Sequence, residues 1–211
     1  VKSQMPYRRL HTARKPALKG FLGVCVVTVL MLTAFVAKSS MNARFDASPK
    51  LVETQQITAE EEKVEAAFIW QFLQFIEFPA PANPQESFVI GIVGTTRVES
   101  FLNDIVRQKQ LSDGRALEVR KISNPDEMLR CNVVFVAPTE TPRLPQILGK
   151  VRGKAILTIG RDDEFLDRNG LMNFYVENAR VRFEYNIDEI PNSKLRFSSK
   201  LLRLGRQFTK K

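Results

Sequence analysis

The sequence predicts an α/β domain: a mixed, mostly parallel sheet covered by helices on both faces. Three observations predict it. Short runs rich in Val, Ile, Leu and Phe recur from residue 88 onward, nearly continuous in apolar residues, which is the pattern of strands buried on both faces. The earlier runs are separated by stretches long enough for a helix, as parallel crossovers require. The last two runs are separated only by Glu177-Asn178-Ala179, short enough only for an antiparallel hairpin.

Residues 1–38 carry seven Lys or Arg and no acid, and the uncharged run 20–37 follows the basic cluster. Basic then apolar is the order of an export signal or signal anchor. The basic flank stays cytoplasmic, so the rest of the chain is expected outside, in the periplasm, either soluble or tethered to the inner membrane by residues 20–37. Residues 39–57 mix Ser, Asn, Pro and charge without a period and read as a linker. One folded domain is expected over 58–207, with a basic tail at 208–211.

Within the domain, Thr58-Ala59-Glu60-Glu61 has capping-box spacing, so a helix is expected to start there. Val64, Ala67, Phe68, Phe72, Phe75 and Ile76 recur at helical spacing and are expected to face inward until Pro79 ends the pattern. Strands are expected at 88–93, 117–122, 131–136, 155–159, 171–176 and 181–187, and helices at 97–110, 125–130, 142–150 and 162–169. A basic amphipathic helix over 198–207 closes the chain, with Leu201, Leu202 and Leu204 inward and Ser198 as its cap. The arrangement is Rossmann-like, three layers in a single domain.

The formal charge of +9 is unevenly spread. Residues 39–193 carry 18 basic and 23 acidic side chains, whereas the last eighteen residues carry seven cations and no acid. The basic pI therefore comes from the two ends, and no nucleic-acid partner is expected. The terminal cations Lys194, Arg196, Lys200, Arg203 and Arg206 exceed what solubility requires, and point to an acidic partner or an anionic membrane surface. The single tryptophan, Trp70, lies off the apolar stripe of its helix and joins them as a candidate partner-binding residue.

Catalytic residues are not found. The only histidine is His11, in the export segment, which leaves the exported part without Ser-His or Cys-His pairs and without a His-based metal site. Cys131 is the one thiol of that part, since Cys25 lies in the apolar run. Asp162-Asp163-Glu164 could supply an acid and a base, but their place before Phe165-Leu166 suits helix capping and a first turn. Gly94-Thr95-Thr96 lies between a strand and a helix, where backbone amides can hold an anion, and is the candidate ligand-binding loop. It lacks the third glycine of a dinucleotide fingerprint and the Gly-Lys-Ser/Thr of a P-loop. No catalytic residue, metal or cofactor is assigned.

Six blocks in order carry a family resemblance. Lys63-Val64-Glu65-Ala66-Ala67-Phe68-Ile69 with Phe72, Phe75 and Phe78-Pro79 resembles the opening helix of the YfiR family. The stretches 90–94, 131–136 and 156–160 with Phe165 and Asn169-Gly170 then resemble its strand blocks. Val181-Arg182-Phe183-Glu184-Tyr185-Asn186 and Ser198-Ser199-Lys200-Leu201-Leu202-Arg203-Leu204 resemble its closing blocks. The resemblance implies a non-enzymatic periplasmic α/β protein. Such a protein binds the periplasmic sensor part of an inner-membrane diguanylate cyclase and holds it inactive, with effects on cyclic-di-GMP and biofilm. A small-molecule ligand, a nucleotide or an amino acid, is the alternative reading, and a homodimer is left open. Many members carry a Cys where this chain has Gly91, which would leave Cys131 without an intrachain partner. Asn132 stands where His is usual, and Phe78 where Trp is usual.

Overall fold

The computed structural model describes residues 49–210 except Ala82 and Pro84, with side chains from Thr58 onward. The expected export segment, with His11 and Cys25, lies outside the described residues, as does most of the expected linker. Helix α1 (Pro49–Phe75) runs into the short strand β1 (Ile76–Glu77). There follow β2 (Phe88–Val93), α2 (Val98–Val106), β3 (Leu117–Ile122), β4 (Val133–Val136), α3 (Leu144–Val151) and β5 (Leu157–Gly160). The chain ends with β6 (Met172–Glu177), β7 (Arg180–Asn186), β8 (Arg196–Phe197), α4 (Ser199–Leu202) and β9 (Arg206–Phe208).

Seven strands form one sheet in the order β3-β2-β4-β5-β6-β7-β9, while β1 and β8 pair antiparallel by themselves. The first five strands are parallel, β6 and β7 form the expected hairpin, and β9 returns parallel to β7. The hairpin tip puts Asn178 and Ala179 both at positive φ, the geometry of a tight turn that matches strand twist. The strand order reverses between β2 and β4, so this is a doubly wound sheet with its switch point there.

The pleat divides the core. Phe88, Ile90 and Ile92 of β2 face α1 together with Val133, Phe135, Leu157, Ile159, Phe174 and Phe183. Val89 and Val93 face the other way, with Val134, Val136, Met128 and the α3 residues Leu144, Ile147, Leu148 and Val151. Phe72 centres the first layer, 4.9 Å edge-on from Phe183 and 5.8 Å stacked on Phe174. Such aromatic pairs add to the burial of the rings themselves.

Several expectations are corrected. The first helix begins at Pro49, nine residues before Thr58 and inside the expected linker. Proline breaks a helix in its interior but suits the first turn, where no N–H partner is lost. The buried stripe of α1 is Ala66, Ile69, Phe72 and Leu73, continued by Ile76 of β1, with Val64 42% exposed and Ala67 exposed. The stripe is turned because it includes Glu65, only 1% exposed, which an apolar count passes over.

Residues 162–169 form tight turns rather than a helix. The Asp162 carboxylate accepts from the Glu164 N–H at one end. At the other, Asn169 at φ 69° closes a C-terminal motif in which Gly170 N–H donates to Phe165 O and Asn169 N–H to Leu166 O. The two caps stand too close together for a helix between them. The stretch 125–130 is helical within the expected bounds, as a 3-10 helix (Pro125–Arg130) capped by Asn124.

The closing helix is one turn long. Ser198 caps it as expected, its hydroxyl accepting from Leu201 N–H at 3.2 Å. Gly205 then comes so close to the Phe183 ring that a Cβ there would lie 2.3 Å from it, and the chain straightens into β9. Leu201 is buried and Leu202 packs partly, but Leu204 is 68% exposed rather than inward.

Candidate functional site

The strand-end loop holds an anion from within the chain. Gly94 adopts φ 93°, and a Cβ there would press within 2.6 Å of the Thr139 hydroxyl, so only glycine fits. Thr95 N–H donates to that hydroxyl at 3.2 Å. The Glu62 carboxylate of α1 accepts from the Thr96 hydroxyl at 2.7 Å and the Arg97 N–H at 3.1 Å, at the start of α2. A carboxylate thus sits where a helix N-terminus attracts negative charge. Beside the loop a hollow of about 230 Å³ is lined by Gly94, Thr95, Lys121, Glu140 and Arg143, the last two paired at 2.9 Å.

Two further acids of α1 converge on Arg161, just past β5. Its guanidinium donates to Glu65 at 2.8 Å and to Glu61 at 2.5 Å. Burial lifts the Glu65 carboxyl from its ordinary 4.5 to about 7, against the pull of Arg161 and with the help of Glu62 and Glu61. Three acids spaced along one helix therefore tie α1 to the carboxyl ends of β2 and β5.

A second polar chain crosses the same end. The Asp162 carboxylate accepts from the Thr141 hydroxyl, Asp162 N–H donates to Asn173 Oδ1, and Asn173 Nδ2 donates to Glu184 at 3.3 Å. Glu184 accepts in turn from Arg206 at 2.6 Å, and the Arg206 guanidinium lies 4.1 Å from the Tyr175 ring centre. Asp162 is thus part of this chain, while Asp163 is exposed and Glu164 pairs with Arg168.

The terminal cations divide. Arg206 is bound into that chain. Lys200 lies over the Phe75 ring at 5.3 Å, and Arg196 reaches Glu77 only at 3.8 Å. Among the described residues Lys194 and Arg203 have no acidic partner, and both are exposed. Trp70 is half-buried against the first core layer. It lies roughly 140° around α1 from Phe75, so the helix separates it from the cations beside that ring.

At the amino ends of β2, β4 and β5 lies a larger cleft of about 380 Å³, which sequence reasoning missed. Its cations Arg115, Arg130 and Lys154 are far apart in sequence and each looks like an ordinary surface charge. Only the parallel sheet, which aligns all strand starts on one edge, brings them together. Cys131 lies buried at the cleft floor, its thiol pushed up to about 11 by burial. A Cβ on Gly91 would lie 2.7 Å from its sulfur. Among the described residues no group of acids, Cys and His could hold a metal ion, and no helix is long and apolar enough to cross a membrane.

Residues 62–206 match the family model described as YfiR/HmsC-like, a span that runs from the acid at the start of α2 to the arginine that anchors β9.

Proposed function

The chain belongs to the YfiR/HmsC-like family, and from that membership we propose that it is a periplasmic regulator without chemistry of its own. It binds the periplasmic sensor part of an inner-membrane diguanylate cyclase and so controls cyclic-di-GMP output. The family match over residues 62–206 carries the reading. The exposed cations Lys194, Arg196, Lys200 and Arg203 support it, because charges without strong internal partners are free to steer an acidic partner. The test has two arms. Deleting the gene should raise cyclic-di-GMP; unchanged levels in every growth condition would sink the reading. Binding of the full chain to the solubilised cyclase should weaken with Lys200→Glu plus Arg203→Glu at low ionic strength, and undiminished binding would move the interface elsewhere, to Trp70.

A second reading is a small-molecule sensor using Gly94, Thr95 and Thr96. The hollow beside that loop favours it, since it lies at the carboxyl ends of β2 and β3 near the switch point, where doubly wound sheets take ligands. A thermal-shift screen against nucleotides and amino acids tests it, because a ligand well above its dissociation constant adds a few kcal/mol.

A further inference from the structure

At the carboxyl ends of the strands the buried and half-buried charges are tied to one another: Glu62 holds the loop, Arg161 holds Glu61 and Glu65, and Glu184 holds Arg206. The amino ends differ. Arg130 and Lys154 on the cleft walls are exposed and have no acidic partner among the described residues. Arg115 is fixed in place by Asp113 at 2.7 Å and by the Phe88 ring at 5.2 Å. Asn132 is oriented by its own Oδ1, which accepts from Val89 N–H at 2.9 Å, so its Nδ2 donors are left for the cleft. The one acid of the lining is Glu86, which leaves the cleft net positive. Between these donors Leu129 stands 44% exposed, an apolar surface beside cations.

We infer that this cleft binds a small organic anion, a phosphate or carboxylate carried on an apolar body. The anion would lie between Arg130, Lys154 and the Asn132 amide, with Arg115 behind it and the apolar part against Leu129. Donors in excess over acceptors select an anion, since charge-assisted hydrogen bonds are the strong ones. A concave volume of about 380 Å³ suits a small molecule better than a flat protein surface. The inference goes beyond the partner reading and does not depend on it, because it is tested on the chain alone.

Phenyl phosphate is the probe, titrated into the full chain and followed by calorimetry and by the NMR shifts of the Asn132 side-chain amide. Saturable binding is expected, tighter than that of inorganic phosphate. Arg130→Gln with Lys154→Gln should weaken it by about tenfold or more. Both side chains are exposed, so the fold is not at risk, and an unchanged melting temperature checks this. Lys200→Gln with Arg203→Gln should leave binding unaltered. The inference is overturned if no binding appears at about 10 mM probe, or if the cleft variant binds as tightly as the parent. Equal affinity for inorganic phosphate would overturn the apolar half of the assignment.

Discussion

The carboxylate of Glu65 meets the guanidinium of Arg161 at 2.8 Å, although 96 residues of chain separate them. This contact is buried on the Glu65 side and shared with Glu61, so it fastens the first helix to the far end of a central strand.

The pH dependence of stability should report this contact. Glu65 titrates near 4.5 when unfolded and near 7 when folded, so the folded state holds the extra proton between those values. Its stabilising contribution is complete below pH 4.5 and is lost as pH rises through 7, by about 3 kcal/mol. Urea unfolding of the parent and of Glu65→Gln across that window should differ in slope, the variant being flatter. The charged groups facing Glu65 are Arg161, Glu61 and Glu62.

Removing Arg161 should be costly in the upper part of that range. Arg161→Ala leaves a buried carboxylate without its cation, a loss of about 3–5 kcal/mol in comparable buried pairs. Replacing both partners with apolar residues, Arg161→Met with Glu65→Leu, should recover most of it. Denaturation midpoints at pH 8 of the single and double variants decide between a pair that is needed and one that is merely matched.

Gly91→Cys should produce a disulfide with Cys131. A Cβ at position 91 would approach the Cys131 sulfur to 2.7 Å, which brings the two sulfurs within bonding reach after a small shift of Cys131. Closing a loop of this length stabilises by about 4 kcal/mol in the chain-entropy model. In the parent, burial and the raised thiol pKa should make Cys131 slow toward thiol reagents under native conditions. Mass spectrometry of the oxidised variant and thiol titration of the parent measure the two halves.

On the closing segment, side-chain depth should rank the cost of truncation. Leu201→Ala, at 2% exposure, is expected to lose about 2–5 kcal/mol, Leu202→Ala less, and Leu204→Ala almost nothing. Lys200→Glu with Arg203→Glu should barely move the melting temperature, because exposed cations contribute little to folding. A large fall for Leu204→Ala would show that its exposed side chain has a partner.

The strands were legible because their signal is local. The apolar runs at 88–93 and 117–122 match β2 and β3 residue for residue, and the short hairpin loop announced the antiparallel pair. The place of α1 was legible from its long apolar stripe, though not its start or its buried face, and helices were misread where a cap or a glycine cut the pattern short. Asn169 in a left-handed turn and Gly205 against Phe183 end their segments through contacts that no window of neighbouring residues contains. The site was least legible. Nothing in the local sequence marks Glu62, Glu65 and Arg161 as joined, because burial of a charge shows only once its partner is in place.

Strand β8 pairs with β1, joining Phe197 to Ile76 and Arg196 to Glu77, and Ser198 N–H donates to Phe75 O at 2.9 Å. The end of the first helix is therefore fastened by a segment far along the chain, beyond the β6–β7 hairpin. Until that segment is in place the junction of α1 and β1 has no backbone partner, although the aromatic face of α1 already packs on Phe174 and Phe183. A truncation before residue 196 should therefore leave Ile76 and Glu77 unpaired and the end of α1 more open to proteases than in the parent.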